Sequence, residues 1–204
     1  MHDVATLERI ASKTLAATGY EDPPVDALDL AECCGLDVRW RRGAGHMMGR
    51  VMYIDPQARP ERQHGNAAHE LAHALLRDHS LDDDETSVRY LAACLLVPRA
   101  ALVADLEAGA CLVALRVRHV NASHELIARR IADVQAAVIT IYDDGKVRTR
   151  IGSRWMGPPP RISALEESLA DRAFATETVQ RDGATHAVPV IGRYWRRVIV
   201  VATT

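Results

Sequence analysis

The sequence predicts an α+β chain: a mainly helical domain with a short β-sheet over residues 1–135, then a small α/β domain over 136–204. Three observations carry this. Apolar residues recur at helical spacing through most of the first 134 positions. From residue 136 the pattern switches to strand-like alternation, with VITIY and VRTRI flanking a DDGK turn. Further on, GPPP at 157–160 reads as a rigid linker.

The elements follow in order. Val4, Leu7, Ile10, Ala11 and Leu15 define an amphipathic helix over 4–18. Pro23-Pro24 interrupts, and VDALDLAECCG forms a second helix ended by Gly35. LDVRWRR is a short strand. RRGAGHMMG is a loop whose glycines lack the Gly-Lys-Ser/Thr of a phosphate loop. RVMYID is a strand stopped by Asp55-Pro56. A helix then runs from Asn66, its expected N-cap, to Asp78. The next covers 85–97 and stops before Pro98, and RAALVADLEAG is closed at Gly109. Residues 112–134 give two helical pieces broken near Asn121-Ala122-Ser123. Beyond GPPP come a helix at 162–175 and strands at 185–191 and 197–202. There is no internal repeat.

Composition sets limits on function. Of the 204 residues 48% are apolar and 25% charged, the balance of an ordinary globular protein, and the net charge of -2 gives no reason to expect a polyanion partner. No apolar run approaches the roughly 18 residues of a transmembrane helix. The start, MHDVATLERIASK, is amphipathic and mixed in charge, unlike a secretion signal. Cys33, Cys34, Cys94 and Cys111 form no Cys-x-x-Cys and read as free thiols of a reducing compartment, which points to the cytoplasm.

The chemistry concentrates in HGNAAHELAHALLRDHS, residues 64–80, with its His-Glu-x-x-His at 69–73. On a helix His69, Glu70 and His73 fall within a sector of roughly 100°, while Ala67, Leu71, Ala74 and Leu75 gather opposite. Histidines at i and i+4 stand one turn apart and can bind one zinc ion. Glu70 lies beside them, where a general base belongs. Against this stands the plain alternative of a solvated helix face. A full motif backed by an apolar face favours the metal.

Catalytic zinc takes three protein ligands and an open position. The run Asp82-Asp83-Asp84-Glu85 offers the third. Glu85 opens a helix whose Val88, Leu91, Ala92 and Leu95 form a stripe at i, i+3, i+4 and i+7. Packing that stripe on the apolar face of the motif helix brings Glu85 toward the histidines. The competing use of Glu85 is an i, i+4 ion pair with Arg89, worth only about 0.3–0.5 kcal/mol.

Residues 69–98 resemble the ImmA/IrrE family of metallo-endopeptidases. In that family the motif helix is followed by Glu-x-x-Ala-Asn/Asp-x-Phe-Ala-x-x-Leu-Leu-Met-Pro, here ETSVRYLAACLLVP. Glu85 takes the ligand position, and Ala92, Leu95, Leu96 and Pro98 match. Val88, Arg89, Leu91 and Val97 stand where the family carries Ala, Asn/Asp, Phe and Met. PVDALDLAECCGLDVRW is similar to the segment before the catalytic strand, and HVNASHELIARRI to a helix-turn-helix piece within 112–134. The likeness covers about residues 20–134, without the Phe-Thr that often precedes the motif helix. It implies a zincin-like fold, zinc held by His69, His73 and Glu85, and catalysis by Glu70. It also implies a regulatory protease whose substrate is a helix-turn-helix repressor.

The remaining candidates are weaker. His64, His79, His119 and His124 read as surface residues, with His64 and Tyr90 as candidates for polarising a substrate carbonyl. Arg116, Arg118, Arg129 and Arg130 make 112–134 mildly basic, but Glu125 and Asp133 favour a packing element over a DNA reader. The alternative function is a non-hydrolytic, metal-binding regulator acting through protein or DNA. No membrane partner is expected.

Overall fold

The structure, a computed structural model, describes residues 2–43, 45–192 and 195–203. It is α+β, with eight α-helices and two β-sheets among the described residues. The chain divides into two compact units, Met1–Gly109 with Leu115–Ser123, and Ala110–Ala114 with His124–Thr204.

In the first unit α1 (Val4–Thr18) is capped by Asp3, whose side chain accepts from the Thr6 N–H, and closed by Gly19 at φ +77°. Helix α2 (Ala27–Cys33) is capped by Asp26, which accepts from the Leu28 and Asp29 N–H groups. Strands β1 (Asp37–Trp40), β2 (Gly45–Met48) and β3 (Val51–Ile54) form a sheet in the order β1-β3-β2. The β1/β3 pair is parallel and the β2/β3 pair antiparallel. Strand β2 lies inside the stretch expected as a loop. Its glycines obscured it, yet Gly49, at φ +62°, is the first residue of the two-residue turn that joins it to β3.

Helix α3 (Pro60–Asp78) starts six residues before the expected Asn66. Pro60 occupies its first turn, where a missing N–H costs nothing. The Gln63 amide reinforces that turn by donating to the Ala58 carbonyl at 2.9 Å. Asn66 is therefore no cap. Its amide lies against Gly45, where a Cβ would come within 3.0 Å of Asn66 Nδ2.

Helices α4 (Glu85–Leu96), α5 (Arg99–Glu107) and α6 (Leu112–Arg118) follow as expected. Helices α3 and α4 pack through the two predicted stripes. Leu71 of one, and Val88, Leu91 and Leu95 of the other, are fully excluded from water. Ser80, at φ 55°, turns the chain between them, and the Leu81 N–H returns to the Leu76 carbonyl at 2.9 Å. That turn brings the acidic run back beside α3.

In the second unit α7 (His124–Val134) packs its buried Ile127, Ala128 and Ile131 against a sheet formed by later strands. The compact unit thus begins ahead of residue 135, where the sequence pattern changes. A pattern change marks a switch of element type, whereas the covering of α7's apolar face is settled by packing. The antiparallel sheet runs in the order β5-β4-β8-β7-β6, with β4 (Ala137–Asp143), β5 (Lys146–Gly152), β6 (Gln180–Asp182), β7 (Thr185–Ile191) and β8 (Arg196–Thr203). Asp144 and Gly145, both with positive φ, make the predicted hairpin turn. Helix α8 (Ala164–Thr176) starts with a Ser163/Glu166 capping box. It buries Leu169, Ala170 and Ala173 on Tyr142, Ala187, Val198 and Val200. The GPPP stretch is not a linker between bodies. Pro159 lies against Gly152, and the Pro160 carbonyl accepts from Arg150 Nε at 2.8 Å, both within this unit.

Candidate metal centre

The three residues expected as ligands come together. One nitrogen each of His69 and His73 and one carboxylate oxygen of Glu85 lie within 4.8 Å of one another. Glu85 Oε1 is 3.7 Å from His73 Nε2 and 3.9 Å from His69 Nε2. Four ligands on one zinc at about 2.0–2.1 Å stand roughly 3.3 Å apart, so the two Glu85–histidine distances need only a small contraction. The imidazoles are one helical turn apart, with centroids at 5.0 Å and planes at 79°. Each ring can therefore aim a nitrogen at a common point from a different direction.

The outer contacts suit a cation. His73 Nδ1 is 3.0 Å from Asp83 Oδ2, and Arg77 holds the same oxygen through Nε at 2.9 Å and Nη2 at 2.7 Å. Hydrogen bonds from Arg77 and His73 keep the Asp83 carboxyl below the usual carboxylate range. An ionised Asp83 fixes the proton of His73 on Nδ1, which leaves the Nε2 lone pair facing Glu85. Burial, with the neighbouring charge of His73, lowers the His69 pKa and favours the neutral imidazole that a metal requires. Two imidazoles and a carboxylate form a donor set that zinc accepts.

Glu85 divides its oxygens. Oε1 faces the histidines, while Oε2 is 3.4 Å from Arg89 Nη2. The ion pair and the ligand position therefore do not compete for one atom. The other acids of the run have separate tasks. The Asp82 carbonyl meets His2 Nε2 at 2.6 Å, and Asp84 caps α4 by accepting from the Thr86 and Ser87 N–H groups. Glu70 stands outside the donor set. Half-burial raises its carboxyl pKa, and His73, His46 and Arg77 partly oppose that rise. A carboxylate tuned upward is a better proton acceptor at neutral pH.

Four expectations are corrected here. His64 is 8% exposed and its Nδ1 lies 3.6 Å from Asp26, so it is a packed residue of α3 and not a surface one. His119 is 1% exposed, with Nε2 3.7 Å from Asp105. Tyr90, the other candidate for polarising a carbonyl, gives its hydroxyl proton to Glu8 at 2.8 Å, and His64 is turned toward Asp26. His79 is exposed and His124 half-buried. Asp83, which the acidic run offers as a ligand, instead orients His73. The signal for β2 is the Met48-Gly49-Arg50-Val51 turn that joins it to β3.

The family of IrrE N-terminal-like domains, Peptidase_M78, matches residues 28–132, just over half of the chain. No protein of curated function matches. Among solved structures, a Mycobacterium tuberculosis transcriptional regulator aligns with TM-score 0.67 at 15% identity, over 100% of this chain and 77% of that one, a likeness of fold. No single helix among the described residues is long and apolar enough to cross a membrane. Cys33, Cys34, Cys94 and Cys111 are free thiols.

Proposed function

The chain belongs to the family of IrrE N-terminal-like domains, Peptidase_M78, and from that premise we propose that it is a zinc-dependent endopeptidase of regulatory type. The observation that carries the reading is the convergence of His69, His73 and Glu85 with Glu70 beside them but outside the donor set. His69, His73 and Glu85 hold the ion. Zinc, when bound, supplies Lewis acidity to water and to a peptide carbonyl. Glu70 takes one proton from a water molecule, whose oxygen bonds to the carbonyl carbon of the substrate. As the C–N bond breaks, Glu70 passes the proton to the departing amine. Asp83, held by Arg77, keeps the His73 ring in one tautomer throughout.

The substrate in this reading is a helix-turn-helix repressor, cleaved in the cytoplasm. Direct DNA binding is disfavoured by the engagement of the arginines in 112–134. Arg116 pairs with Glu61, Arg118 with Asp105, Arg129 with Glu125 and the fully buried Arg130 with Asp133. The test combines zinc content and cleavage. Wild type should carry one zinc per chain, and His69→Ala or His73→Ala should lose it. Glu70→Gln should retain zinc while cutting repressors encoded beside this chain about 10²–10⁴-fold more slowly. Zinc-loaded wild type that cleaves no better than Glu70→Gln would replace this reading with the non-hydrolytic regulator.

A further inference from the structure

Two groups of the metal centre stand where the backbone is least regular. Asp83 lies in the connection between α3 and α4, residues 79–84, which is neither helix nor strand, and Glu85 is the first residue of α4. Loops and helix ends are where a fold opens at least cost. A metal ligand and the group that orients another must nonetheless stay within about 0.5 Å of their working positions.

A residue outside both helices grips this stretch at its two ends. His2 Nε2 meets the Asp82 carbonyl at 2.6 Å, and because a carbonyl only accepts, the ring donates from Nε2. The His2 backbone N–H donates to Ser87 Oγ at 2.8 Å. Asp82 and Ser87 bracket Asp83, Asp84 and Glu85. The fully buried Ser87 hydroxyl extends the grip inward by donating to Asp84 Oδ2 at 2.6 Å. The anchor behind His2 is itself fixed. His2 precedes Asp3, whose carbonyl accepts from the Thr6 and Leu7 N–H groups at 3.1 and 3.2 Å and whose side chain caps α1. Helix α1 in turn buries Leu7, Ile10 and Ala11 and packs on α4.

We propose that His2 is a positioning residue of the metal centre. It latches the Asp82–Ser87 segment to the start of α1, and so holds Asp83 against His73 and the Oε1 atom of Glu85 toward both imidazoles. His2 touches neither the ion nor the substrate and acts only through the segment it holds. The role rests on the metal-binding part of the function proposed above, and adds to it a residue remote from the motif in sequence.

The test measures the zinc affinity of the full chain by competitive chelator titration, alongside its urea midpoint. His2→Phe keeps a ring and removes the side-chain donor. It should weaken zinc binding about tenfold, the lower end of the range for groups that act through a ligand. The midpoint should barely move, because the lost bond is exposed. His2→Gln, which keeps an amide N–H at similar reach, should recover most of the loss. In an Asp83→Asn background His2→Phe should cost much less than it does alone, since one of the groups it positions is already disabled. Unchanged affinity in His2→Phe, no recovery in His2→Gln, full additivity with Asp83→Asn, or a loss matched by a falling urea midpoint would each overturn the role. The titration involves no cleavage. A wild type that shows this zinc pattern yet cleaves no repressor would remove the endopeptidase reading alone, whereas a wild type that binds no zinc would remove both.

Discussion

Two clusters of charged side chains, one in each unit of the molecule, are built on opposite principles. In the second unit Arg150 donates to Glu166 through Nη1 at 2.7 Å and Nη2 at 3.2 Å, and also to the Thr140 hydroxyl. The Ser163 N–H and hydroxyl complete the shell of Glu166 at 2.9 and 3.0 Å. Donors and acceptors balance, so the cluster is complete within the protein. In the first unit His69, His73 and Glu85 present electron pairs to one another within 4.8 Å. The cationic side chains nearby, Arg77 and Arg89, are turned to Asp83 and to the outer oxygen of Glu85. A balanced cluster supports a fold, whereas a convergent surplus of Lewis bases recruits a cation.

Breaking the balanced cluster should have the largest effect on stability. The Arg150 and Glu166 side chains are only 12% and 7% exposed, so Arg150→Met strands a buried carboxylate. It should cost about 3–5 kcal/mol in urea denaturation and leave zinc stoichiometry unchanged. Glu85→Ala tests the converse. Glu85 is exposed and outside the apolar stripe, so its loss should weaken zinc affinity strongly and shift the urea midpoint little. If both variants unfold alike, the contrast between the clusters fails.

The next effect is one of orientation. Asp83→Asn keeps the size of the side chain but removes the charge that fixes the His73 tautomer. Zinc affinity by competitive chelator titration should fall about 10–100-fold. Unaltered affinity would mean that α3 alone orients the ring.

Acid sharpens the comparison through two carboxylates. Burial pushes the Glu166 pKa up, but hydrogen bonds from Arg150 and Ser163 outweigh it and hold the carboxyl below its ordinary range. Asp84, the α4 cap, is brought down to about 2, chiefly by its bonds from Ser87. A depressed carboxylate contributes stability that is complete above its unfolded-state pKa and is lost as pH falls through the folded one. Stability should therefore decline from about pH 4.5 downward, with the Asp84 share persisting toward pH 2. Glu166→Gln should flatten the upper part of that profile in denaturation measured against pH, and Asp84→Asn the lower part.

The smallest effect belongs to Arg89. Arg89→Asn removes the partner of Glu85 Oε2 only, so zinc affinity should be preserved or slightly raised in the same titration. A clear loss would show that the ion pair aims Glu85 at the histidines.

The sequence by itself determined the local features of the centre. Histidines four apart on a helix share a face whatever the surroundings, and the stripe Val88, Leu91, Ala92, Leu95 could bury itself only by packing on another apolar face. Those periodicities were enough to anticipate α3, α4 and the convergence of His69, His73 and Glu85. The hairpin around Asp144-Gly145 was legible for the same reason, because its turn chemistry is local. What only the tertiary structure decided was which nonlocal partner each polar group meets. His64 and His119 are ordinary histidines in the sequence, but become buried once α3 meets Asp26 and the 115–123 segment meets Asp105. Asp83 becomes the group that orients His73 because the Ser80 turn reverses the chain. His46 stacks on Tyr53 because β2 pairs with β3. Helical and turn patterns report interactions spanning a few residues, and such contacts depend on a packing that no short window contains.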